Sequence, residues 1–529
     1  MTSVGRHATA SGSWGLAVWW SRLRAARPSA TWPGVVLVLV LFSAAFFGNA
    51  LAAAHRKPFW HDEIFTILFA RLPSVATMWR AARDGLDFMP PLNAVVTHAL
   101  RYGVGEGPIV TRIPPMIGVW IACLALFAIV RRRSNLVLGV CAAMLPLWTA
   151  AFHYAVEARG YGLMLGLFGL SAFAWSEAAR GSRRATYLPL LALSLAGGAW
   201  SHYYAILNVA PLALGEVVRD IRRRAPDWGI WVAFAVAFTL MLPLHGLAAS
   251  ALAHSARSWT LVEPAGIRDT YSSLLAHLLD ARVLGAAALL TLLGRLMRVT
   301  THDPTDTQRI PVHEVVAALA SLLIPLAGVV ASRFGVGVFV PRYALSAVVG
   351  VVSVALLAVW VGSRRSSAVA LAMCACLTVS FAQSTWAARD ALRAPYPNPV
   401  AERPALTQAL RRGERVCITG GLMYLQFWYY APTLLKPRLY YLVDPTTARR
   451  LMGTDSLDNG LLALRHWSAV TAPDYDRFVS GHRRFTVYGA GSGWLLDKLT
   501  ESGASVRETG AELGFRIYDV ALPPLPLTQ

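Results

Sequence analysis

Long runs of apolar residues dominate this sequence, and every second run ends in a cluster of arginines. A helix needs roughly 20 predominantly apolar residues to cross the hydrocarbon core of a bilayer. Eleven segments have this character, centred near residues 43, 120, 144, 170, 194, 211, 238, 290, 322, 352 and 378. The pattern therefore predicts an all-α polytopic membrane protein with about eleven transmembrane helices.

The arginine clusters give these spans a direction. They comprise Arg131, Arg132 and Arg133; Arg180, Arg183 and Arg184; Arg219, Arg222, Arg223 and Arg224; Arg295 and Arg298; and Arg364 and Arg365. Basic residues of short loops stay on the cytoplasmic side of a membrane. We therefore expect residues 1–32 to form a cytoplasmic basic tail. Residues 33–388 should form the membrane domain of a plasma- or inner-membrane protein, with the C-terminal region outside the cytoplasm.

The net charge of +20 does not indicate a nucleic-acid partner. The arginines lie between apolar runs, and hydrophobic residues make up 55% of the chain while charged residues make up 15%. Soluble domains average about 45–50% apolar and about 25% charged residues. The five cysteines show no zinc spacing. We expect membrane lipid around the chain and no nucleic acid.

Residues 389–529 predict a small extracytoplasmic α/β domain. A proline-rich linker precedes four strand-like runs, at 415–419, 439–443, 484–488 and 515–520. The Gly-Ala-Gly-Ser-Gly sequence at 489–493 follows one of these runs. Its spacing departs from the GxGxxG pattern of dinucleotide sites, so we interpret it as a tight turn from a strand to a helix.

The first outer loop, residues 55–108, begins with two adjacent acids, Asp62 and Glu63. An ionised carboxylate beside lipid is costly unless it has a partner or a function. Adjacent residues do not share a helix face, so we expect one acid to face a site and the other to pack elsewhere. Capping of the following helix by Asp62 is the structural alternative. Apolar spacing predicts an interfacial helix over 66–82, and residues 92–104, which follow Pro90-Pro91 and are too short to span the membrane, suggest a second one.

Charged and aromatic residues from separate spans reach this same outer side. They are His153, Tyr154, Glu157, Arg159 and Tyr161 after the third span, His202 and Tyr203 after the fifth, and Arg342 and Tyr343 before the tenth. Arginine and tyrosine at a membrane interface are usually anchors. Their convergence with the acids instead predicts a pocket that combines a general base with cations for a phosphate.

The order of these motifs resembles the GT-C superfamily of integral-membrane glycosyltransferases. The nearest similarity is to the protein O-mannosyltransferase-like group, which includes the lipid A aminoarabinose and core galacturonic acid transferases. It covers residues 33 to about 360 and rests on His61-Asp62-Glu63, Asp87-x-x-Pro90-Pro91-Leu92, Glu157-Ala158-Arg159-Gly160-Tyr161, His202-Tyr203-Tyr204 and Pro341-Arg342-Tyr343. The resemblance implies a GT-C-like fold, a catalytic base at Asp62 and a polyprenyl-phosphate-linked sugar as donor.

These residues predict a membrane glycosyltransferase that works with inversion. Asp62, accompanied by Glu63, takes a proton from the acceptor hydroxyl, and Arg159 and Arg342 hold the donor phosphate. The other expected substrate-binding residues are His61, Asp87, Glu157, Tyr161, His202, Tyr203 and Tyr343. No cofactor is certain, and a divalent metal on Asp62 or Glu63 stays open. The acceptor is a glycan, a lipid or a protein of the cell envelope.

Two other functions remain as alternatives. A transporter or flippase would place ionisable residues near the middle of the bilayer and often carries repeated halves. Here the ionisable residues cluster at one face, which favours the enzyme. A scaffold or sensor whose outer domain binds polysaccharide would not need eleven spans.

Overall fold

The computed structural model describes residues 32–255, 266–276, 310–334, 339–491 and 493–524. The chain divides into two compact units, residues 1–45 and 46–529, and the features discussed below belong to the second unit. The expected basic tail up to residue 31, the expected span near residue 290, and Arg295 and Arg298 lie outside the described residues.

Helices account for nearly all of the regular structure before residue 389. They are α1 (Trp32–Arg56), α2 (His61–Ala70), α3 (Val75–Arg83), α4 (Leu92–Val104), α5 (Pro108–Arg133), α6 (Leu136–Met144), α7 (Ala150–Ala155), α8 (Tyr161–Ala179), α9 (Arg184–Ser201), α10 (Val209–Arg223), α11 (Trp228–Met241), α12 (Leu244–Ser255), α13 (Ile267–Leu275), α14 (Val312–Ser321), α15 (Ile324–Arg333), α16 (Ala347–Gly362) and α17 (Ser367–Ala388). Short 3-10 helices occupy Leu145–Trp148, Tyr203–Asn208, Pro341–Ala344 and Arg389–Leu392.

Four described helices, α1, α5, α8 and α17, are long and apolar enough to cross a membrane singly. Two bent pairs, α11 with α12 and α14 with α15, raise the number of candidate spans to six, and they bend by 54° and 49°. The other expected spans within the described residues coincide with shorter or more polar helices, such as α6, α10 and α16. The structure therefore supports several spans but does not establish eleven.

The helix expected over 66–82 is in fact two helices. The first, α2, ends at Ala70, and α3 begins at Val75. Proline at position 73 lacks an amide N–H, which disfavours a continuous helix. The Ser74 side chain then accepts a hydrogen bond from the Thr77 amide at 3.2 Å and caps α3. The second expected interfacial helix, over 92–104, is α4.

Glycine residues bring α5 and α8 into backbone contact. A Cβ atom added to Gly118 would lie 2.3 Å from the carbonyl oxygen of Gly162, and one added to Gly166 would lie 2.1 Å from that of Gly118. Small residues at such positions let two helices in a membrane approach closely. The contact fixes α8, which begins at Tyr161 beside the candidate site described below.

The C-terminal region contains a five-stranded sheet with helices between its strands. These elements are α18 (Pro404–Arg411), β1 (Val416–Ile418), α19 (Gly421–Tyr430), β2 (Leu439–Tyr440), α20 (Pro445–Met452), α21 (Ser456–Trp467), α22 (Tyr475–Gly481), β3 (Arg484–Gly489), α23 (Leu495–Glu501), β4 (Ser505–Glu512) and β5 (Phe515–Ala521). The strand order is β2-β1-β3-β5-β4, in which β1 pairs parallel with β2 and β3, and β5 pairs antiparallel with β3 and β4.

Four strands lie where the sequence predicted them, and β4 was not predicted. This strand is largely exposed and carries charged residues, so it lacks the apolar alternation of a half-buried strand. The expected strand-to-helix turn lies between the end of β3 at Gly489 and the start of α23 at Leu495. A Cβ on Gly493 would lie 2.4 Å from the Thr419 carbonyl oxygen, which explains the need for glycine there.

Candidate active site

Four charged side chains from separate parts of the chain meet beside the start of α8. Asp62 lies in the first turn of α2, Asp87 in the loop after α3, and Arg159 in the turn before α8. Arg342 belongs to the 3-10 helix Pro341–Ala344. Both terminal nitrogens of Arg159 donate to the Asp87 carboxylate, at 3.0 and 3.2 Å, and a terminal nitrogen of Arg342 lies 3.7 Å from the Asp62 carboxylate. These four side chains are referred to below as the Asp/Arg cluster.

The Asp62 carboxylate faces this cluster and does not cap its own helix. The amide of Trp60 at the start of α2 instead donates to Glu63, at 3.3 Å. Burial alone would raise the pKa of Asp62, but the hydrogen bond with His61 and the charges of Arg159, His61 and Arg342 lower it to about 2. The side chain remains 24% exposed. Asp62 is therefore an ionised carboxylate that solvent or a substrate can reach.

Glu63 takes a different position from the one expected of a second catalytic acid. Both of its oxygens accept hydrogen bonds from Arg112, at 2.8 and 2.9 Å, and both side chains are 0% exposed. One Glu63 oxygen also accepts from the Ala158 amide at 2.8 Å. The pair ties α2 to α5 and to the turn that carries Arg159. Glu63 thus holds α2 against α5 and the Arg159 turn. No substrate can reach its buried carboxylate without a rearrangement.

Arg159 is anchored on several sides. Besides Asp87, one terminal nitrogen donates to the backbone oxygen of Asp62 at 3.2 Å and to the Thr66 hydroxyl at 3.0 Å. Its Nε atom is buried and has no hydrogen-bond partner within the described residues. Burial lowers the pKa of Arg159, but the charges of Asp87 and Asp62 outweigh this effect and raise it, so the side chain stays cationic.

Gly160 explains how the Arg159 turn comes so close to the end of α9. A Cβ atom on Gly160 would lie 2.3 Å from the backbone oxygen of Ser201. Any larger residue would push the two segments apart. The glycine therefore lets Arg159 and His202, which follows Ser201, share one site.

Arg342 is the more accessible cation of the cluster. Its Nε donates to the Tyr161 hydroxyl at 2.9 Å, and its guanidinium lies over the rings of Tyr161 and Tyr343, at 5.7 and 5.8 Å from their centroids. The side chain is 26% exposed. These contacts orient the guanidinium while leaving its terminal nitrogens available to an anion.

His202 lies beside the Asp/Arg cluster and contributes a neutral hydrogen-bond donor. Its Nδ1 accepts from the Tyr204 amide at 3.2 Å, and its ring lies 4.4 Å from that of Tyr343. Burial and the charges of Arg159 and Arg342 lower the pKa of His202 to about 3. A neutral ring that accepts at Nδ1 carries its proton on Nε2. That buried Nε2 has no hydrogen-bond partner among the described residues, so it can donate to a ligand.

The remaining expected residues lie around the cluster. Burial and the charge of Asp87 raise the pKa of the Tyr203 phenol. The Glu157 carboxylate lies 3.4 Å from Lys57 and 3.3 Å from His153. One Glu157 oxygen is buried without a hydrogen-bond partner in the described structure.

Sequence reasoning missed Lys57 and Arg112. A lysine directly after the first span, in a chain whose other lysines are Lys436 and Lys498, was an available signal. An arginine within the apolar run of α5 was another, because an isolated charge in lipid needs a partner. Both residues pair with acids that the sequence analysis had identified, Glu157 and Glu63.

The C-terminal region contacts the segment that leads into Asp62. The Phe59 amide donates to the Tyr430 hydroxyl at 2.6 Å, and Gln426 donates to the Phe59 carbonyl at 2.8 Å. The Tyr396 hydroxyl donates to the Lys57 carbonyl at 3.1 Å. These bonds hold residues 57–59 and thereby help to position the start of α2.

Within the described residues, no group of three or more histidine, cysteine, aspartate or glutamate side chains is arranged to hold a metal ion. Of the two carboxylates considered for a metal, Glu63 is fully buried, and Asp62 lies among cationic side chains. Glu63 is bound to Arg112, and Asp62 lies beside Arg342 and the backbone-anchored Arg159.

Comparison with known proteins gives a fold but no family by sequence. No protein-family model matches the chain, and no curated protein matches it. The crystal structure of ArnT from Cupriavidus metallidurans bound to undecaprenyl phosphate has a TM-score of 0.54 and 11% identity, covering 92% of this chain and 98% of the ArnT chain. The apo state of the same protein has a TM-score of 0.53 and 11% identity, covering 93% and 98% of the two chains.

This similarity extends over almost the whole of both chains. The chain therefore has an ArnT-like fold, in agreement with the fold expected from the sequence motifs. The chain is therefore a multi-pass membrane protein, as its long apolar helices and its ArnT-like fold both indicate.

Proposed function

We propose that this protein is an inverting membrane glycosyltransferase that moves a sugar from a polyprenyl-phosphate-linked donor to an envelope acceptor. One observation carries the proposal: an ionised carboxylate, Asp62, and an accessible guanidinium, Arg342, share one partly buried cluster. A base and a phosphate-binding cation are the two groups that glycosyl transfer from a phosphate requires. An ArnT protein of the same fold has been crystallised with undecaprenyl phosphate, which supports a lipid-linked donor.

Asp62 acts as the general base. It takes the proton of the acceptor hydroxyl while that oxygen attacks the anomeric carbon, and the bond between this carbon and the phosphate oxygen breaks. One displacement of this kind inverts the anomeric centre. A pKa near 2 makes Asp62 a weak base in the unliganded protein. A donor phosphate on Arg342 would offset a positive charge that lowers this pKa, and would therefore make Asp62 more basic when the substrate is present.

Arg342 and His202 receive the leaving phosphate. The terminal nitrogens of Arg342 and the unpartnered Nε2 of His202 supply donors where negative charge develops. A phosphate leaves as a stable anion, so no strong general acid is required. Arg159 is committed to Asp87 by two hydrogen bonds and serves mainly to hold the cluster together.

We further propose that the site faces away from the cytoplasm, with residues 389–529 on the same side. The cluster lies at the start of α8, whereas Arg180 and Arg184 follow its other end. Arginine-rich loops favour the cytoplasmic side. Nucleotide sugars are highly charged and do not cross a bilayer unaided, so a donor on a flipped polyprenyl phosphate fits a site of this orientation.

Purified protein in lipid vesicles tests this function directly. We expect it to transfer sugar from a polyprenyl-phosphate donor to an envelope extract and to ignore the matching nucleotide sugar. Asp62→Asn should abolish transfer, while Asp390→Asn, which alters an exposed carboxylate outside the cluster, should preserve it. Transfer from the nucleotide sugar alone, or transport without a new glycosidic bond, would overturn the proposal. If transfer from the lipid-linked donor is observed, mass changes in the envelope glycans of cells lacking the protein will identify the acceptor.

A further inference from the structure

A second group of charged side chains lies beside the Asp/Arg cluster, around the buried carboxylate of Glu157. Glu157 belongs to the turn between α7 and α8, and its backbone oxygen accepts a hydrogen bond from the Arg159 amide at 2.7 Å. Lys57, which directly follows α1, lies 3.4 Å from the carboxylate, and His153 of α7 lies 3.3 Å from it. One tight turn therefore carries both this carboxylate and a member of the Asp/Arg cluster.

The two neighbours of Glu157 leave half of its carboxylate unused. Lys57 and His153 both contact Oε2, whereas Oε1 is buried and has no hydrogen-bond partner within the described residues. The Glu157 side chain is only 3% exposed. An unpaired acceptor in a buried position is costly. Oε1 is therefore suited to accept a hydrogen bond from a group outside the chain.

Glu157 would accept such a bond as an ionised carboxylate. Burial raises its pKa, but the hydrogen bond with His153 and the charges of Lys57, His153 and Arg342 lower it below its usual value. The effect of Arg342 also shows that the carboxylate lies near the proposed phosphate-binding cation. A negative oxygen at this place repels a phosphate and favours the hydrogen-bond donors of hydroxyl and amino groups.

The other carboxylates near the Asp/Arg cluster, apart from the proposed base, are less suited to this role. Both oxygens of Asp87 accept hydrogen bonds from Arg159, and both oxygens of Glu63 accept from Arg112. Glu157 differs from them because one of its oxygens remains unpaired among the described residues.

A ligand can approach Glu157 without a change in the neighbouring backbone. The His153 side chain is 60% exposed, so it is free to move aside. The backbone of Lys57 is fixed, because its carbonyl accepts hydrogen bonds from Arg112 at 2.8 Å and from Tyr396 at 3.1 Å. The carboxylate is thus held in a defined place behind a movable side chain.

We propose that the Glu157 carboxylate binds a hydroxyl or amino group of the sugar on the lipid-linked donor and thereby contributes to the choice of sugar. This role rests on the polyprenyl-phosphate donor of the proposed function. A sugar joined to a phosphate on Arg342 carries its polar groups close to that cation. Hydrogen bonds to a charged acceptor are stronger than those to a neutral one, and a site built around such a bond rejects sugars that lack the matching group.

Lipid binding to the purified full-length protein tests this role. The probes are undecaprenyl phosphate and undecaprenyl phosphate that carries glucose, galactose, mannose or arabinose, and native mass spectrometry from detergent micelles counts the bound lipid. We expect at least one sugar-bearing lipid to bind about tenfold more tightly than undecaprenyl phosphate. Glu157→Gln should lose this preference and still bind undecaprenyl phosphate. The matched control is Glu106→Gln, which alters an acid paired with Arg71 and Arg101 in the first outer loop and should keep the preference.

Two results would overturn the proposal. One is a Glu157→Gln protein that keeps the wild-type preference, and the other is a wild-type protein that prefers none of the sugar-bearing lipids. If Glu157→Gln does not bind undecaprenyl phosphate, Glu157→Asp takes its place. This variant keeps the charge beside Lys57 but withdraws the carboxylate by one methylene, so it should lose the same preference.

The transfer assay separates this role from the proposed function. Glu157→Gln should raise the donor KM and leave the acceptor KM unchanged, and a rise in the acceptor KM alone would contradict a contact with the donor sugar. A wild-type protein that transfers no sugar but keeps a preference dependent on Glu157 would overturn the glycosyltransferase and leave the sugar site in place.

Discussion

The two ends of α8 both carry arginines and carboxylates, but their hydrogen bonding differs. At the arginine-rich end, Asp227 accepts two bonds from Arg184, at 2.5 and 2.9 Å, and further bonds from Arg219 and Arg223. Arg219 also donates to Glu216 at 2.6 Å. Every oxygen of Asp227 is thus used within the protein.

At the other end, beside the Asp/Arg cluster, several buried polar atoms lack hydrogen-bond partners within the described residues. Arg342 stands 3.7 Å from Asp62, and buried nitrogen atoms of His61, Arg159 and His202 have no hydrogen-bond partner in the described part of the chain. Leaving buried polar groups unpaired costs about 1–3 kcal/mol each. The Asp227 carboxylate is thus fully used within the fold, whereas the Asp/Arg cluster retains unpaired polar atoms, as the proposed function requires of a site that binds a substrate.

The largest expected effect comes from replacing one carboxylate oxygen by an amide nitrogen, at Asp62 and, for comparison, at Asp227. Asp62→Asn should lower transfer by roughly 10²–10⁴-fold, because an amide cannot act as a base, and should leave the melting temperature unchanged. Asp227→Asn should do the reverse, since it weakens a network of arginines and leaves the reaction centre intact. Transfer assays and thermal melting of both variants check this. Normal transfer by Asp62→Asn would remove the base from the mechanism.

Glu63→Gln tests whether a fully buried acid beside the cluster belongs to the fold. We expect a loss of about 3–5 kcal/mol in stability, because Arg112 would remain buried with its charge uncompensated. Glu63→Leu combined with Arg112→Met should recover much of this stability. Thermal melting in detergent measures both. A well-folded but inactive Glu63→Gln protein would instead assign Glu63 a direct part in the reaction.

The two arginines of the cluster should respond differently to lysine. Arg342→Lys should raise the donor KM by about tenfold with a normal melting temperature, because lysine lacks the bidentate fork. Arg159→Lys should lower the melting temperature as well, because it loses the paired bonds to Asp87. Kinetics at varied donor concentration and melting curves distinguish the two. Identical behaviour of both variants would contradict the division between a binding and a positioning arginine.

The smallest effect concerns pH. The pKa of Asp62 is lowered to about 2 and that of His202 to about 3, so neither group titrates above pH 5 in the unliganded protein. We expect kcat/KM to show no ionisation of either group between pH 5 and 8. Arg342→Gln removes a charge that favours the Asp62 carboxylate, so its pKa should rise and the acidic decline should move to higher pH. If the acidic decline of kcat/KM in Arg342→Gln stays at the wild-type pH, the charge of Arg342 does not influence the pKa of Asp62.

The sequence predicted elements better than it predicted partners. Apolar runs and strand patterns located most helices and four of the five strands, because burial imposes a local period. The motifs also identified Asp62, Asp87, Arg159 and Arg342, which the fold brings together. The pairing of Glu63 with Arg112 could not be predicted, since it joins residues 49 positions apart through packing alone. Likewise, the sequence did not predict the break between α2 and α3, because the apolar helical period continues on both sides of Pro73.

The glycine contacts between α5 and α8 also fix the height of the Asp/Arg cluster relative to the other end of α8. Because the two backbones touch at Gly118, Gly162 and Gly166, neither helix can slide along its axis without a collision. The span of α8, about 27 Å, is therefore a constant of the fold. A thicker membrane must thin around the protein, because the protein cannot lengthen to match it. The lipid, and not the protein, therefore makes the adjustment to any mismatch in thickness.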